Sequence, residues 1–310
     1  MTNEEHEALL EAVRVSSADW VPGHTSLTDL EPEERRLRLG YNPGPDEPSL
    51  QQREKRATAR AMMEAALIAD APAPPVDVDW RSVDGQNYVT SIKDQGPCGS
   101  CVAFGTTATM ESRIRILQKA PLSASNGSAL PDLSEAHLFY CGNQAADRCV
   151  SGWWVQPALA FATSTGVVPA ACFPYRSDKQ DCILCDNWQS MTTKVDSWQQ
   201  ITSATAMKQW LATKGPLITC FSEYADFYAY TEGVYTYTTG EREGGHCVSC
   251  VGYDERKQAW LCKNSWGTRW GLDGFFWIAY GQCGIDAMMW GIESFATIYT
   301  PPTRRRAVAH

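Results

Sequence analysis

The chain has 310 residues, 44% of them hydrophobic and 11% aromatic, which is enough for one large or two medium-sized globular domains. No apolar run approaches the roughly 18 residues that cross a bilayer, since even the stretch 61–73 is broken by Glu64, Asp70 and Pro72. The net charge of −9 argues against binding to a phosphate backbone, which needs clustered lysine and arginine, so we expect neither a nucleic acid nor a membrane as a partner.

Residues 1–75 differ in composition from the rest of the chain. They contain no cysteine, are rich in glutamate, arginine, alanine and proline, and end in the proline cluster 71–75, which is typical of an extended linker. Residues 4–14 and 54–70 have the composition of helices, and the proline-rich stretch 42–48 between them predicts irregular structure. We therefore expect an N-terminal region that is an appendage to the core.

A cysteine stands at the start of a predicted helix in the stretch 95–104, which reads Gln-Gly-Pro-Cys-Gly-Ser-Cys-Val-Ala-Phe. The turn formers before Ser100 place the helix start near that residue, and the apolar positions beyond it recur at steps of four and three. Unpaired N–H groups and the helix dipole favour a thiolate at Cys101. A cysteine pKa can fall from about 8.5 to about 3–4 when an imidazolium also lies beside it, so the stretch predicts a nucleophile ready at neutral pH.

Beyond the predicted helix that begins at Cys101, the sequence predicts first a short helix and then mainly strands. Ser134 is a good N-cap for a short helix over 133–141. From about residue 191 the composition shifts to threonine, tyrosine, tryptophan and valine with period-two alternation, which predicts strands. Residues 203–213 are the one helical interlude, so the second half of the chain is predicted to be rich in strands.

Two polar residues in that second half fit the chemistry of a thiolate. His246 lies in the run 244–253, Gly-Gly-His-Cys-Val-Ser-Cys-Val-Gly-Tyr, and Asn264 lies in the run 263–271, Lys-Asn-Ser-Trp-Gly-Thr-Arg-Trp-Gly. A histidine accepts and donates protons near neutral pH, and an amide oxygen holds its imidazole in one tautomer without adding charge. With Cys101, these residues predict nucleophilic catalysis.

These motifs, together with Val-Asp-Trp-Arg at 78–81 and Leu-Ser-Glu at 133–135, resemble those of the papain-like cysteine peptidases over roughly residues 76–300. The resemblance implies an α+β fold in which a helical domain (76–190) faces a β-barrel-like domain (191–310) across an active-site cleft. It also implies a cysteine endopeptidase that works through a thioester acyl-enzyme and needs no cofactor.

The same resemblance assigns the catalytic roles. Cys101 is the nucleophile, and the side-chain amide of Gln95 forms the oxyanion hole with the Cys101 backbone N–H. His246 is the general base and acid, and Asn264 orients its imidazole. Val102 stands where the family usually has tryptophan, which removes an aromatic wall without touching the chemistry.

A substrate-binding cleft is implied in the same way. The backbone of Gly152 pairs with an extended substrate, and Trp153 and Trp154 wall the subsite for the second residue before the cleaved bond; the alternative is that both tryptophans belong to the core. Trp266 shields the hydrogen bond between the catalytic histidine and asparagine. The other cleft residues implied are Cys220, Gly245, Cys247 and Met288. Because position 288 is a methionine and not an acidic residue, we expect the pocket to prefer a hydrophobic residue and not an arginine.

Twelve cysteines favour an oxidising compartment, secreted or similar to a lysosome or vacuole, although the chain as given has no signal peptide. Family positions imply the disulfides Cys98–Cys149 and Cys141–Cys182, with Cys172–Cys185 as the remaining pair. Cys283 is left unassigned, because its usual partner is absent from residues 235–245. One glycosylation sequon begins at Asn126.

The N-terminal region is similar to a shortened propeptide of this family. Residues 25–35 follow a propeptide motif, with Leu27 in place of the usual phenylalanine. The stretch 41–52 is expected to lie across the cleft and to block it until the chain is processed near 74–76, which makes the region an inhibitor of its own enzyme. The alternative is a solvated extension on an enzyme that is always open.

Three Cys-x-x-Cys pairs raise the alternative of a zinc or redox protein, namely Cys98/Cys101, Cys182/Cys185 and Cys247/Cys250. On a strand, Cys247 and Cys250 point to opposite faces and cannot chelate one ion, so we expect no metal site. Two further alternatives keep the fold. A catalytically silent peptide-binding scaffold is disfavoured because all four catalytic residues are present, whereas a peptide ligase acting on the same acyl group stays open.

Overall fold

The computed structural model describes residues 1–64, 74–123, 132–178 and 180–301. The glycosylation sequon at Asn126 and the linker residues 71–73 lie outside these ranges. Within them, every helix is too short or too polar to cross a bilayer.

The α-helices fall mainly in the N-terminal region and in the first half of the core. They are α1 (Asn3–Ser16), α2 (Pro32–Arg36), α3 (Leu50–Glu64), α4 (Cys101–Leu117), α5 (Arg148–Ser151), α6 (Val155–Ser164) and α7 (Ala204–Thr213). The short helix predicted over 133–141 begins beside Ser134, whose Oγ accepts a hydrogen bond from the His137 N–H at 2.9 Å, and it continues as a π-helix over His137–Cys141. The predicted helix over 203–213 is α7, with Ser203 as its N-cap.

The strands lie mainly in the second half of the chain, as the composition predicted. They are β1 (Trp20–Pro22), β2 (Asp77–Asp79), β3 (Lys194–Ile201), β4 (Leu217–Tyr224), β5 (Tyr230–Tyr235), β6 (Arg242–Asp254), β7 (Ala259–Lys263), β8 (Phe275–Ala279) and β9 (Met289–Thr297). Their order is β1-β5-β8-β7-β6-β4-β9-β3, with β2 on β6, and the β5–β8 pair is parallel. Helices and one large sheet together make the predicted α+β architecture.

Helix α4 packs directly on β6. A Cβ on Gly105 would lie 3.1 Å from the backbone of Val248, so a larger residue there would push the helix away from the strand. Four residues further along α4, the hydroxyl of Thr109 shares a hydrogen bond with that of Ser249 at 2.8 Å. This close packing fixes the start of α4, at Cys101, beside the middle of β6.

Three disulfides tie together the loops around α4. The sulfur atoms are 2.03 Å apart in Cys98–Cys149, 1.99 Å in Cys141–Cys182 and 2.02 Å in Cys172–Cys185, which are the three predicted pairs. The other six cysteines are buried free thiols, and five of them, Cys220, Cys247, Cys250, Cys262 and Cys283, lie in the strand-rich half.

The N-terminal region is built into the fold and is not a solvated appendage. Strand β1 extends the main sheet, with Trp20 opposite Gly233 on β5. Leu27, in the propeptide-like motif, is 1% exposed. Helix α3 lies against the turn at Gly284, where a Cβ would come within 3.3 Å of Arg53. Composition alone did not reveal these contacts, because the region is rich in charged residues.

Candidate active site

Cys101 is the first residue of α4 and is fully buried. Gln95 lies in the turn before that helix, and its side chain is held at both ends. Its Oε1 accepts a hydrogen bond from the Ser265 hydroxyl at 2.7 Å, and its Nε2 donates to the Cys98 carbonyl at 2.8 Å and to the Arg38 carbonyl at 2.9 Å. The amide donor therefore faces a carbonyl group contributed by the N-terminal region.

His246 lies on β6, and Asn264 directly follows β7. The Nε2 atom of His246 is 2.7 Å from Oδ1 of Asn264, which also accepts the Ser265 backbone N–H at 2.8 Å. An oxygen acceptor requires the proton on Nε2, so the neutral ring has its lone pair on Nδ1. That Nδ1 atom is buried and has no hydrogen-bond partner among the described residues.

Aromatic rings enclose the imidazole. The Trp266 ring centroid lies 4.6 Å from that of His246, with the planes tilted by 31°, and the Phe221 ring approaches edge-on at 5.9 Å. Trp266 is 1% exposed, so it excludes water from this side of the site. The arrangement holds the imidazole ring in one orientation, and the shielding role of Trp266 stays a prediction.

Burial opposes charge at both the thiol and the imidazole. It raises the pKa of Cys101 to about 12, although the backbone N–H groups of Cys247, Gly40 and Val102 act in the opposite direction. Burial lowers the pKa of His246 to about 4, against the smaller effect of its hydrogen bond to Asn264. In this covered state the pair is a neutral thiol and a neutral imidazole, so the ionised nucleophile expected from the sequence remains a prediction for the uncovered site.

A five-residue stretch of the N-terminal region, Arg38 to Asn42, covers the site; we call it the crossing stretch. On one wall of the cleft, the Trp153 N–H donates to the Gly40 carbonyl at 2.7 Å, and the Asn42 N–H donates to the Trp153 carbonyl at 3.0 Å. On the other wall, the Tyr41 N–H donates to the Gly245 carbonyl at 2.9 Å. The crossing stretch therefore bridges the two halves of the chain directly above Cys101.

The predicted blocking stretch 41–52 was placed too far along the chain. Its first two residues do lie in the cleft, but the contacts begin at Arg38, and the residues after Asn42 follow the rim toward α3. The reason is that Arg38 and Gly40 contact Gln95 and Trp153 through backbone atoms, and only the Arg38 side chain adds a contact, an ion pair with Asp94 at 2.7 Å. A Cβ on Gly40 would lie 1.9 Å from the carbonyl oxygen of Gly99, so the chain passes here too closely for a side chain.

Gly152 and the Trp153 backbone have different roles at the wall of the predicted substrate subsite. Gly152 bonds within its own half, since its N–H donates to the Arg148 carbonyl and its carbonyl accepts from Asn143. The strand-like pairing with the crossing stretch is made instead by the Trp153 backbone, whereas Gly152 supplies space: a Cβ there would lie 2.1 Å from the Gly40 oxygen.

The two tryptophan side chains point to different surroundings. The indole of Trp153 reaches Gly142 and is 4% exposed, so it belongs to the core. The indole of Trp154 lies against Gly44, just beyond the crossing stretch. The Trp153 ring therefore lies in the core cluster, and Trp154 is the one that faces the N-terminal region.

The predicted pocket residues Cys220, Cys247 and Met288 are all buried in one apolar cluster with Tyr41. Cys220 and Cys247 stand opposite each other on β4 and β6. Gly245 lets the crossing stretch approach, because a Cβ there would lie 2.1 Å from the Tyr41 oxygen. The side chain of Tyr41 thus occupies the pocket that was predicted to receive a substrate residue.

A buried ionic cluster braces the two halves behind Asn264. The Lys263 ammonium donates to Thr90 at 2.8 Å, and Thr90 donates to the Glu111 carboxylate on α4 at 2.6 Å. Burial lowers the pKa of Lys263 to about 8, in spite of the nearby Glu111. The cluster ties the end of β7, and with it Asn264, to the nucleophile helix.

Sequence reasoning missed Arg38, Gly40, Arg53 and Ser265. Ser265 lies inside the motif 263–271, directly after Asn264. A hydroxyl residue beside the catalytic asparagine could have been predicted to contact the site. The other three lie in the charged N-terminal region, where no pattern marks a backbone contact or a buried arginine. Arg53 is 1% exposed although it lies on a helix of strongly polar composition.

Three comparisons with known proteins show what the chain is similar to. A family model described as Papain family cysteine protease matches residues 74–292. The protein "Cathepsin B-like CP3" of Giardia intestinalis is 30% identical over 256 residues, which cover 78% of this chain and 80% of that protein.

Two solved structures share the fold over nearly the whole chain. The procathepsin B S9 from Trypanosoma congolense has a TM-score of 0.74 and covers 96% of this chain and 99% of its own; its 19% identity makes this a likeness of fold alone. The digestive procathepsin L2 proteinase from Tenebrio molitor larval midgut has a TM-score of 0.73 at 28% identity, with 93% and 88% covered. In both cases the match includes the N-terminal region of this chain.

Proposed function

The chain belongs to the papain family of cysteine proteases, and from this premise we propose that it is an endopeptidase that acts through a thioester at Cys101. The observation that carries the proposal is the hydrogen bond of 2.7 Å between His246 and Asn264, which leaves the ring nitrogen Nδ1 buried and unpartnered among the described residues. A lone pair held in that way is suited to take the proton of a thiol.

The proposed reaction has two steps. The Cys101 sulfur, after giving its proton to His246, attacks the peptide carbonyl carbon, and the oxygen that becomes negative is stabilised by the Gln95 amide and a backbone N–H. His246 then gives its proton to the departing amine, and the C–N bond breaks to leave a thioester. Water, deprotonated by His246, attacks the thioester and releases the acid and the free thiol.

We further propose that residues 1–75 keep this enzyme inactive as a zymogen. The support is physical: the crossing stretch takes the donor of Gln95, pairs with both walls and covers the thiol. Removing the stretch would admit water to Cys101 and His246, reduce the cost of charging them, and so favour the thiolate and imidazolium. The proposal assigns Cys101 and Gln95 to a helical domain over 76–190, and His246 and Asn264 to a second domain over 191–310.

The substrate side of the proposal follows from the pocket that Tyr41 fills. Its side walls are Cys220, Cys247 and Met288, which are small or flexible apolar residues. We propose that a bulky, hydrophobic side chain occupies this pocket at the second position before the cleaved bond.

Hydrolysis of fluorogenic peptides by acid-processed protein tests the proposal. We expect Cys101→Ser to lower kcat/KM by about 10⁴-fold or more, because the weaker nucleophile removes the covalent step. Cys250→Ser is the matched control, since Cys250 is an equally buried thiol whose Sγ donates within its own strand, to the Gly252 carbonyl. Intact-mass measurement after treatment with an epoxysuccinyl inhibitor should place the adduct on Cys101.

Two results would contradict the proposal. Processed wild-type protein that binds peptides but never cleaves them would support the silent scaffold instead. Equal labelling of Cys101 before and after loss of residues 1–75 would refute the inhibitory role of that region while leaving the peptidase proposal in place.

A further inference from the structure

Three free thiols lie together at the cleft, although the proposed reaction uses only one of them. Cys101, Cys220 and Cys247 are buried in the apolar cluster that also contains Tyr41. Cys220 and Cys247 stand directly opposite each other on the antiparallel strands β4 and β6, where paired Cβ atoms are typically about 4.5–5.5 Å apart. Burial raises the pKa of Cys220, and a hydrogen bond from its thiol to that of Cys247 raises it further. The two sulfur atoms are therefore neighbours on one face of the sheet.

The nucleophile borders this pair of thiols. Burial raises the pKa of Cys101, and the Cys247 backbone N–H, which bonds to the Cys101 sulfur, acts in the opposite direction. Besides burial, the nearby Cys220 raises the pKa of Cys101, and Cys101 raises that of Cys247. In the intact chain the Tyr41 side chain fills the space beside them, so loss of the N-terminal region would open all three sulfur atoms to one space.

We propose that Cys220 and Cys247 are a dithiol that rescues Cys101 of the processed enzyme after its oxidation by a hydroperoxide, and that they end as a disulfide. The inference rests on the proposed nucleophile, because a reactive thiolate at Cys101 would be oxidised before the other two thiols. A cysteine without a second thiol at hand is oxidised further to sulfinic and sulfonic acids, whereas a neighbouring thiol converts the first product, a sulfenic acid, into a disulfide.

The proposed rescue has three steps. The Cys101 thiolate attacks the terminal oxygen of the hydroperoxide, the O–O bond breaks, and the departing alkoxide takes a proton from the His246 imidazolium, which leaves a sulfenic acid and an alcohol. The Cys247 sulfur then attacks the Cys101 sulfur, and the hydroxyl group leaves with the thiol proton as water. In the last step Cys220 gives its proton to the neutral His246 and attacks the Cys247 sulfur, and Cys101 departs as a thiolate.

The direction of the last step follows from the pKa values of the three thiols. In thiol–disulfide exchange the thiol with the lowest pKa is the best leaving group. Burial raises the pKa of both Cys220 and Cys247, whereas Cys101 of the processed enzyme is stabilised as a thiolate by an imidazolium. The disulfide should therefore settle on Cys220 and Cys247, which returns a reduced nucleophile.

A map of the thiols in acid-processed enzyme tests the inference. The enzyme is treated with hydrogen peroxide, denatured, alkylated and digested, and its peptides are identified by mass spectrometry. Of the six free thiols, we expect Cys220 and Cys247 to become joined and Cys101 to stay open to alkylation. Cys101 with two or three added oxygen atoms, beside free thiols at Cys220 and Cys247, overturns the inference.

Two controls show whether the oxidation passes through Cys101. Cys250 and Cys262 also stand opposite each other, on β6 and β7, but lie in a different cluster, so this pair should stay reduced. The intact chain should keep all six thiols under the same treatment, because Tyr41 and the crossing stretch cover the cleft. Equal oxidation of the two pairs, or of the intact and processed forms, contradicts the inference.

Two variants separate the steps, each compared with its own untreated activity. Cys247→Ala has no thiol to attack the sulfenic acid, so we expect peroxide to inactivate it about tenfold faster than wild type, with no recovery in dithiothreitol. Cys220→Ala should stop at the disulfide between Cys101 and Cys247, and dithiothreitol should restore its activity. Equal inactivation of wild type and Cys247→Ala contradicts the inference, and the wild-type thiol map decides it if a variant does not fold. If untreated wild type cleaves no peptide, the peptidase proposal fails, whereas the thiol map still decides the rescue.

Discussion

Two parts of the N-terminal region hold the same cleft closed by different means. The crossing stretch is bound mainly through its backbone, with carbonyls and N–H groups paired to Gln95, Trp153 and Gly245. The side chains of Arg38 and Asn42 add hydrogen bonds to Asp94 and to the Ser151 carbonyl. Helix α3 is bound through its side chains, with Arg53 and Arg60 on backbone carbonyls and Glu54 on the hydroxyls of Ser222 and Tyr224.

The difference bears on how specific each contact is. Backbone pairing is available to any extended peptide, so the crossing stretch competes for the groups that a substrate would use. The side-chain contacts of α3 need particular residues at particular positions, so they distinguish this inhibitor from a substrate. Tyr41 belongs to both sets, because its N–H pairs with Gly245 and its hydroxyl contacts Glu47 and Arg53.

The largest expected effect is on the ionisation of Cys101, which the crossing stretch covers. The pKa of Cys101 is raised to about 12 in the covered state, so the thiolate fraction of the intact chain rises about tenfold per pH unit below that value. The pKa of His246 is lowered to about 4, so this ring stays neutral and adds no second step above about pH 5. Between about pH 6 and pH 9 we expect the thiolate fraction of Cys101 in the intact chain to stay below about 0.1%, measured as the ultraviolet absorbance of a thiolate that the Cys101→Ser variant lacks.

The processed enzyme is the control for that profile. Its thiolate and imidazolium should stabilise each other, so most of its Cys101 should be ionised over the same range, a difference of about 1,000-fold. The same absorbance difference follows both forms. A thiolate signal in the intact chain as large as that in the processed enzyme would mean that burial under the crossing stretch does not set the ionisation of the thiol.

The contrast between backbone and side-chain contacts also explains what the sequence could predict. Gln95, Cys101, His246 and Asn264 carry side-chain chemistry in specific motifs, and the strand-rich second half follows from its alternation, so these were predicted. The start of the crossing stretch was not predicted, because any residue type can contribute the backbone carbonyl that Arg38 supplies. The close approach at Gly40 also cannot be recognised from a single glycine in the sequence. Arg53 was missed because an amphipathic pattern assigns a charged residue to the solvent side, whereas here its partners are carbonyls and aromatic rings.

The protonation state of Cys101 also differs between the prediction from the sequence and the structure. A helix start and a nearby histidine predicted an ionised thiol, and both features are present. Burial outweighs them in the covered state, and burial of Cys101 depends on contacts with Gly40, 61 residues earlier in the chain. Such long-range effects on a pKa require coordinates.

The next effect in size tests the close passage at Gly40. The Cβ of Gly40→Ala would overlap the Gly99 carbonyl at 1.9 Å, and neither backbone can yield without moving the chain. An overlap of this kind costs about 3 kcal/mol, so alkylation of Cys101 in the intact chain should become about 100-fold faster. Gly23→Ala is the control, because its Cβ meets only the Thr231 side chain, at 2.8 Å. Equal rates in the two variants would exclude the crossing stretch as the main barrier.

A smaller effect is expected at the side-chain contact of α3. Arg53→Met keeps the length of the side chain but removes the positive charge 3.9 Å from Glu47 and the hydrogen-bond donor of two carbonyls. We expect a loss of about 2 kcal/mol in closure, and alkylation of the intact chain about 30-fold faster. Arg56→Met is the control on the same helix, since Arg56 is exposed. A change in Arg53→Met no larger than in Arg56→Met would show that backbone pairing alone keeps the cleft closed.

The smallest effect is expected at Tyr41, where the two kinds of contact meet. Tyr41→Phe keeps the ring in the pocket and the N–H on Gly245, and it removes only the hydroxyl that bonds to Glu47 and Arg53. We expect a loss of about 1 kcal/mol, because the charges of Glu47 and Arg53, 3.9 Å apart, still attract each other, so alkylation should become about fivefold faster. Tyr88→Phe, at a half-buried tyrosine packed on Trp80, should change nothing. If Tyr41→Phe instead raised the alkylation rate as much as Arg53→Met, the hydroxyl would be the group that joins α3 to the crossing stretch. The two parts of the N-terminal region would then open together and not independently.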